Sequence, residues 1–298
     1  MELILHNTAL LGIYTYAPMN RGMFNTQMFA MAQAPPGVIE VSGWRYRVSE
    51  VFKHDFWAAT ALYEALDPKA GFQKIIVKFA RSQGFCGLPL EWIGPLMRAH
   101  ECAIYAALAG VAGVPQWVGM VGRFGYAIEY IDGMPLDQVP APPAGFFDDL
   151  RNVFEAIHAR GVAYSDANKL SNILVGPAGR PFLVDYQLAF HRRDEWPWPV
   201  RQILAACVRY VCQRDMYHLY KHKRRISPQE LTEQELEISR NRGWLHMLHR
   251  KIAKPYRSIR RRFLRSRYEK GQLESPTASL ERRCQPEKDT WRKMPQDS

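Results

Sequence analysis

Between Tyr164 and Gln187 the chain places an aspartate, an asparagine and a second aspartate around two short apolar runs. Asp166 and Asn172 precede Ile173-Leu174-Val175, and Asp185 follows Pro181-Phe182-Leu183-Val184. The intervening Gly176-Pro177-Ala178-Gly179 is turn chemistry, so the two runs read as a β-hairpin. Such a hairpin carries all three oxygen-bearing side chains to one end. Carboxylate and amide oxygens suit a hard cation such as Mg²⁺, which keeps several waters and shares the rest of its shell with phosphate oxygens.

The surrounding pattern is β-rich first and helical afterwards. Residues 1–37 read as an irregular leader ending in Ala34-Pro35-Pro36-Gly37. Strand-like runs follow at Val38–Val41, Tyr46–Val51 and Gln73–Phe79, the last rich in β-branched residues. Pro95 opens a helical stretch that continues to Leu108 and is closed by Gly110. Two more strands, Gln116–Val121 and Tyr126–Ile131, flank a turn at Arg123-Phe124-Gly125. Phe146–Arg160 reads as a helix with Leu150, Val153, Phe154 and Ile157 on one face. From Pro199 the pattern predicts helix to about Arg267, then a polar tail. Cys207 and Cys212 are expected in a helix core, Trp196–Pro199 as a loop packed on the helical part, and His218 and His222 as solvated side chains.

In this order the elements resemble the protein-kinase-like superfamily over residues 45–220. The stretch Ala163–Ala189 is similar to a kinase catalytic loop and the metal-binding region after it. The resemblance implies an α+β, two-lobed kinase-like fold, with a sheet-and-helix N-lobe over 38–130, a mainly helical C-lobe over 131–250, and a basic helix and tail over 251–298. It also implies ATP and Mg²⁺ as cofactors. On that reading Lys78 neutralises ATP phosphates and Glu101 holds Lys78. Glu129-Tyr130-Ile131-Asp132-Gly133 resembles the hinge, whose backbone groups hydrogen-bond adenine. Asp166 accepts the proton of the substrate hydroxyl, and Asn172 and Asp185 hold the metal. The chain departs from the pattern at three places. Five residues, Ala167 to Ser171, separate Asp166 from Asn172 where protein kinases have four; the longer loop carries Lys169, a second cation in reach of the γ-phosphate. The expected phosphate-covering turn, Phe52 to Ala59, contains no glycine. Gln187 stands where the metal-binding motif has glycine.

The segment after Asp185 is short and has no Ala-Pro-Glu sequence. Its reduction resembles lipopolysaccharide-core and Kdo sugar kinases and the RIO-type kinases. The implied acceptor is a hydroxyl on a glycan, a lipid-linked sugar or a protein Ser/Thr. A rival reading is a pseudokinase, a nucleotide-binding or scaffold module without turnover, favoured by the missing glycines and the longer loop.

Charge is unevenly distributed. Residues 1–200 hold 16 Lys+Arg against 18 Asp+Glu, whereas residues 201–298 hold 24 against 11. Nine of those cations fall in 250–267 without an acid, and Ile252, Tyr256, Ile259 and Phe263 recur among them at helical spacing. That segment reads as a helix whose stripe packs on its own domain with the arginines solvated, or as one that lies on an anionic membrane surface, in preference to one that binds nucleic acid. Five cysteines at irregular spacing, with no C-x-x-C pair, argue against a disulfide framework and for a cytoplasmic protein, peripheral to the inner membrane face if the basic segment binds lipid. The best apolar run, Cys102–Val114, is thirteen residues, short of the about 20 a membrane helix needs.

Overall fold

The computed structural model describes residues 27–85, 88–192 and 195–241. The fold is mixed α/β, with an antiparallel sheet in the N-terminal part and helices against and after it. Strands β1 (Val38–Val41), β2 (Trp44–His54), β3 (Ala58–Ala65), β4 (Lys74–Ala80), β5 (Trp117–Val121) and β6 (Gly125–Glu129) form one six-stranded sheet ordered β1-β2-β3-β4-β6-β5. Helix α1 (Ile93–Ala107) crosses between β4 and β5. It starts earlier than the sequence predicts, because Pro95 is tolerated within the first turn, where its missing N–H has no helical partner. Gly94 permits the approach of this turn to the sheet. A Cβ there would lie 1.9 Å from the Arg81 carbonyl oxygen.

The period-2 alternation of the strands decides what each sheet face carries. Ile75, Val77 and Phe79 of β4 join Ala59, Ala61 and Tyr63 of β3 and Ala127 of β6 in one apolar core. The intervening residues Lys78 of β4 and Tyr126 of β6 are register partners and share the opposite face. That face turns toward α1 and a second core built on Ile104, Tyr105, Leu150, Phe154, Tyr164 and Tyr186. Lys78 is a buried cation because the strand period leaves it on the side where the helices pack.

The rest of the chain builds on short pieces. β7 (Met134–Pro135), β9 (Ile173–Val175) and β10 (Pro181–Leu183) make a three-stranded sheet, while β8 (Val162–Ala163) pairs with β11 (Phe190–His191). The predicted hairpin is β9 and β10, in register Ile173↔Leu183 and Val175↔Pro181. Helix α2 (Phe146–Ala159) buries Leu150, Val153, Phe154 and Ile157 as the spacing predicts. Helix α3 (Val200–Ile226) and helix α4 (Glu233–Arg240) follow. The predicted continuous helix is broken after Ile226 by Ser227-Pro228, and Thr232 with Glu235 forms a capping box that starts α4. The basic segment 250–267 and the tail lie outside the described residues, as do residues 1–26 of the leader. Residues 27–31 of the leader are tied down by Arg81, a fully buried guanidinium that donates to the carbonyls of Gln27, Phe29, Phe56 and Gly84. Among the described residues, no helix is long and apolar enough to cross a membrane.

Several expectations about α3 and the loop before it are corrected. Cys207 is exposed and Cys212 half-buried. Trp196 and Trp198 of the Trp-Pro loop are 46% and 73% exposed, so the loop does not pack as expected. His218 and His222 are buried, not solvated. The face of α3 that meets the protein is the one pointing at the 164–169 loop. There His222 Nε2 lies 3.1 Å from the Ala167 carbonyl, and Lys221 donates to Asn168 Oδ1 at 2.6 Å.

Burial, with Lys221 and Arg225 nearby, pushes the His222 imidazole down to about 4. The unfolded chain then takes up the proton first as pH falls. Stability is full above the ordinary histidine value near 6.5 and declines toward pH 4, by about 3 kcal/mol from this group. Chemical denaturation at pH 7 and pH 4 should show that loss, and His222→Gln, which keeps a donor and cannot titrate, should flatten the slope in this window. An unchanged slope in the variant would place the acid sensitivity elsewhere.

Candidate active site

Lys78 is the centre of the site. Its Nζ lies 2.7 Å from Glu101 Oε2 and 2.7 Å from Asp185 Oδ1. Glu101 comes from the buried side of α1, and Tyr126 from β6 donates to the same Oε2 at 2.6 Å. Burial works against the charge on Lys78, and the adjoining carboxylates of Asp185 and Glu101 overcome it, holding the ammonium above its ordinary range. Burial likewise opposes ionisation of Asp185; Lys78 and Lys53 outweigh it and keep the carboxyl well below the usual range. Lys78 and Asp185 therefore face each other as ions at neutral pH within a mostly apolar shell.

Asp185 sits just beyond β10, with φ of 64°, a left-handed conformation that aspartate tolerates better than most residues. The hairpin ladder continues one step past its strands, because Val184 N donates to Asn172 O at 3.0 Å. This bond brings Asn172 and Asp185 to the same hairpin end. Asn172 Nδ2 donates to Asp166 Oδ2 at 3.0 Å, and Lys169 Nζ reaches that oxygen at 2.5 Å. Burial pushes the Asp166 carboxyl up, against these two partners. The structure thus brings together Lys78, Glu101 and Asp185 as one cluster, and Asp166, Lys169 and Asn172 as a second one joined to it through the hairpin.

Glu129 ends the interior strand β6, and Ile131 lies just beyond it. The Glu129 amide donates to the Gln116 carbonyl, and its carboxylate accepts from the Gln116 amide. Ile131 is buried, and its carbonyl accepts from Gly133 N at 2.9 Å. A shallow concavity opens beside this segment, lined by Tyr130, Asp132, Gly133, Met134, Pro135 and Val175.

The chemistry of the donor set fits Mg²⁺. With Asn172 Nδ2 committed to Asp166, its Oδ1 is the side-chain atom left for a cation, and one Asp185 oxygen is bonded to Lys78 while the other remains. Among the described residues no group of three or more His, Cys, Asp or Glu could hold a metal. One carboxylate and one amide are few ligands for a resident ion, but they are what Mg²⁺ needs when phosphate oxygens and water complete its shell.

Sequence reading missed four residues here. Lys53 and Asp55 form an ion pair at 2.7 Å beside the turn after β2. Tyr126 braces Glu101. Asp215 of α3, fully buried, accepts from the amides of Tyr164 and Ser165 at 2.8 and 2.9 Å and lies 3.1 Å from His158 Nε2. Asp215 had one visible signal, as the sole acid between Glu195 and Glu230 in a basic helical stretch.

No family model and no curated protein sequence matches the chain. Among solved structures it is similar to the Rio2 kinase from Chaetomium thermophilum, at 17% identity and a TM-score of 0.42, over 57% of this chain and 54% of that one. It is also similar to that kinase's ADP/Mg²⁺-phosphoaspartate complex, at 18% identity and a TM-score of 0.42, over 60% of this chain and 55% of the other. The chain thus spans about half the length of the structures it matches.

Proposed function

We propose that the chain binds ATP beside Lys78 and transfers its γ-phosphoryl group to an alcohol. The observation that carries this reading is the buried Lys78 ammonium held by both Glu101 and Asp185, with Asp166 and Asn172 joined to Asp185 through one hairpin end. A buried cation held in place by two carboxylates, next to oxygen ligands and a carboxylate of raised proton affinity, is suited to phosphoryl transfer. Catalysis of that reaction is mostly positioning and charge compensation.

Lys78, braced by Glu101, offsets charge on the nucleotide phosphates, and Lys169 offers a second cation from the loop. Asn172 and Asp185 would hold Mg²⁺, which when bound neutralises charge on the phosphate oxygens. Asp166 orients the acceptor. Both of its side-chain partners fall on Oδ2, so Oδ1 is the oxygen that receives the proton. The acceptor oxygen bonds to the γ-phosphorus as the bond from that phosphorus to the β,γ-bridging oxygen breaks. The hydroxyl proton passes to Asp166, and ADP leaves. The acceptor is an alcohol of a glycan, a lipid-linked sugar or a protein, and a screen across those classes follows once nucleotide binding is in hand.

The test is thermal unfolding with ATP, with and without Mg²⁺, on the wild type and on Asp185→Asn. At ~100 times its dissociation constant the nucleotide stabilises by about 2.7 kcal/mol. The stabilisation should need Mg²⁺ and vanish in the variant, each protein being compared with its own nucleotide-free melt. No shift at saturating nucleotide rejects the reading. A module that binds ATP without transferring it is favoured by one observation: the turn expected to cover the phosphates uses its own amides internally, Asp55 Oδ1 accepting from Trp57 N and Ala58 N. Nucleotide-dependent stabilisation with no release of ADP across the acceptor screen would select that module.

A further inference from the structure

We propose that Lys53 is a phosphate-binding cation additional to Lys78 and Lys169, replacing backbone amides at the β2–β3 turn and making nucleotide binding depend on the β- and γ-phosphates. The inference deepens the nucleotide-site reading above and rests on it.

The turn itself has little to offer an anion. Asp55 N donates to the Ala58 carbonyl, while the amides of Trp57 and Ala58 are taken by Asp55 Oδ1. Three amides of the turn are therefore satisfied from within, and the Asp55 carboxylate stands where a phosphate cradle would present N–H groups. With no glycine from Phe52 to Ala59, a phosphate has no close path to this backbone either. Positive charge has to come from a side chain.

Strand register puts Lys53 in position to supply it. Val51 pairs with Ala61, and Lys53, not Phe52, pairs with Thr60, because a β-bulge inserts one residue between them. Thr60 in turn pairs with Lys78 and Lys78 with Tyr126. Register partners share a sheet face, so Lys53, Thr60, Lys78 and Tyr126 form one row across β2, β3, β4 and β6 on the side that carries Glu101 and Asp185. Without the bulge Phe52 would occupy that row, and Lys53 would point into the opposite core beside Val51 and Ala61. Two strand spacings put the Lys53 and Lys78 backbones about 10 Å apart, a gap that two long side chains can bracket around a phosphate chain, with the small Thr60 leaving room between them.

The electrostatics agree with the geometry. Burial disfavours the Lys53 charge, but Asp55 and then Asp185 outweigh it and raise its proton affinity, so the ammonium senses the central carboxylate as well as its ion-pair partner. Its side chain remains 39% exposed, so a ligand can reach the ammonium. The ordinary alternative is a surface ion pair between Lys53 and Asp55. Such pairs contribute little to stability, which gives no reason for a bulge that re-aims a lysine from the core face to the site face. In the nucleotide-free protein Asp55 holds Lys53 in place, and a phosphate oxygen takes over as its partner on binding.

The experiment is isothermal titration of the full chain with Mg²⁺-ATP, Mg²⁺-ADP and adenosine, on the wild type, Lys53→Met and Lys53→Arg. Lys53→Met should weaken ATP and ADP by about tenfold or more, the size of one charge-assisted contact. Adenosine should bind as in the wild type, and Lys53→Arg should keep ATP within about threefold, because a guanidinium still reaches phosphate. ATP binding unchanged in Lys53→Met overturns the assignment while leaving the nucleotide site standing. Equal losses for adenosine and ATP overturn it too, since the lysine would then be shaping the pocket. A wild type that binds none of the three ligands removes the nucleotide site itself, and the assignment with it.

Discussion

Asp166→Ala is expected to lower phosphoryl transfer about 10²–10³-fold, the effect of losing ~3–4 kcal/mol from one preorganised polar group, while Mg²⁺-ATP still stabilises the fold. The separation follows from where the side chains lie. Lys78, Glu101 and Asp185 form the cluster proposed to face the phosphates, and its ion pairs do not use Asp166. Among the described residues, the Asp166 carboxylate is bonded through Oδ2, to Asn172 and Lys169. Removing it costs the acceptor its orienting oxygen and its proton sink. Burial raises the Asp166 carboxyl above its ordinary range, so the group that titrates on the acidic limb of the rate should do so above the usual aspartate value, with activity falling as pH drops through it. Asp166→Asn should keep the Asn172 contact geometry and lose the proton acceptor, giving a rate close to that of alanine. Single-turnover rates beside nucleotide-dependent melting separate the effects. Full turnover in Asp166→Ala would remove it from the chemistry, and loss of ATP stabilisation would make it a binding residue.

Much of this arrangement is legible in the sequence because it depends on local periodicity. The β-prone run Ile75-Ile76-Val77-Lys78 is enough to make a strand, whose period of two puts Lys78 opposite Val77 and Phe79, and the turn residues 176–179 make a hairpin whatever surrounds them. Glu101 stands out as the one acid between Glu91 and Glu129. What escapes is whatever needs an irregularity or a distant partner. The bulge at Phe52 shifts the alternation by one residue, and no composition rule marks it, so Lys53 reads only as one residue of the expected turn Phe52 to Ala59. The environment of α3 is the converse case. Its apolar first half, with Val200, Ile203 and Cys207, suggests burial, whereas the polar second half, with Asp215, His218, His222 and Lys223, is the part actually enclosed. Asp215, Lys221 and His222 meet the polar groups of the 164–169 loop, and that demand is invisible until the loop is folded. The break at Ser227-Pro228 was readable in principle, since proline in a helix interior removes a hydrogen bond and clashes with the preceding turn.

Asp215 carries the larger structural consequence, and Asp215→Ala should cost about 3–5 kcal/mol of folding stability, as for a buried polar group whose removal strands its partners. The loop it supports is strained. Ser165 has φ of 70°, a left-handed conformation for a residue other than glycine, which persists only where the surroundings over-determine it. Asp215 does that from about 50 residues away in sequence, one carboxylate oxygen on Ser165 N and the other on Tyr164 N and His158. Tyr164, fully buried, adds a hydroxyl hydrogen bond to the Val184 carbonyl, next to Asp185. The same side chain therefore fixes the stretch just before Asp166 and, through Tyr164, the end of the hairpin. Its loss should lower the denaturant midpoint, increase hydrogen exchange at the Tyr164 and Ser165 amides, and reduce phosphoryl transfer although Asp215 touches no substrate. Asp215→Asn, which keeps one acceptor oxygen but turns an N–H toward a donor, should fall between. Rates that drop in both variants in step with the exposed loop amides would identify Asp215 as a positioning residue for Asp166, whereas wild-type protection at those amides in Asp215→Ala would show that the loop holds its shape without it.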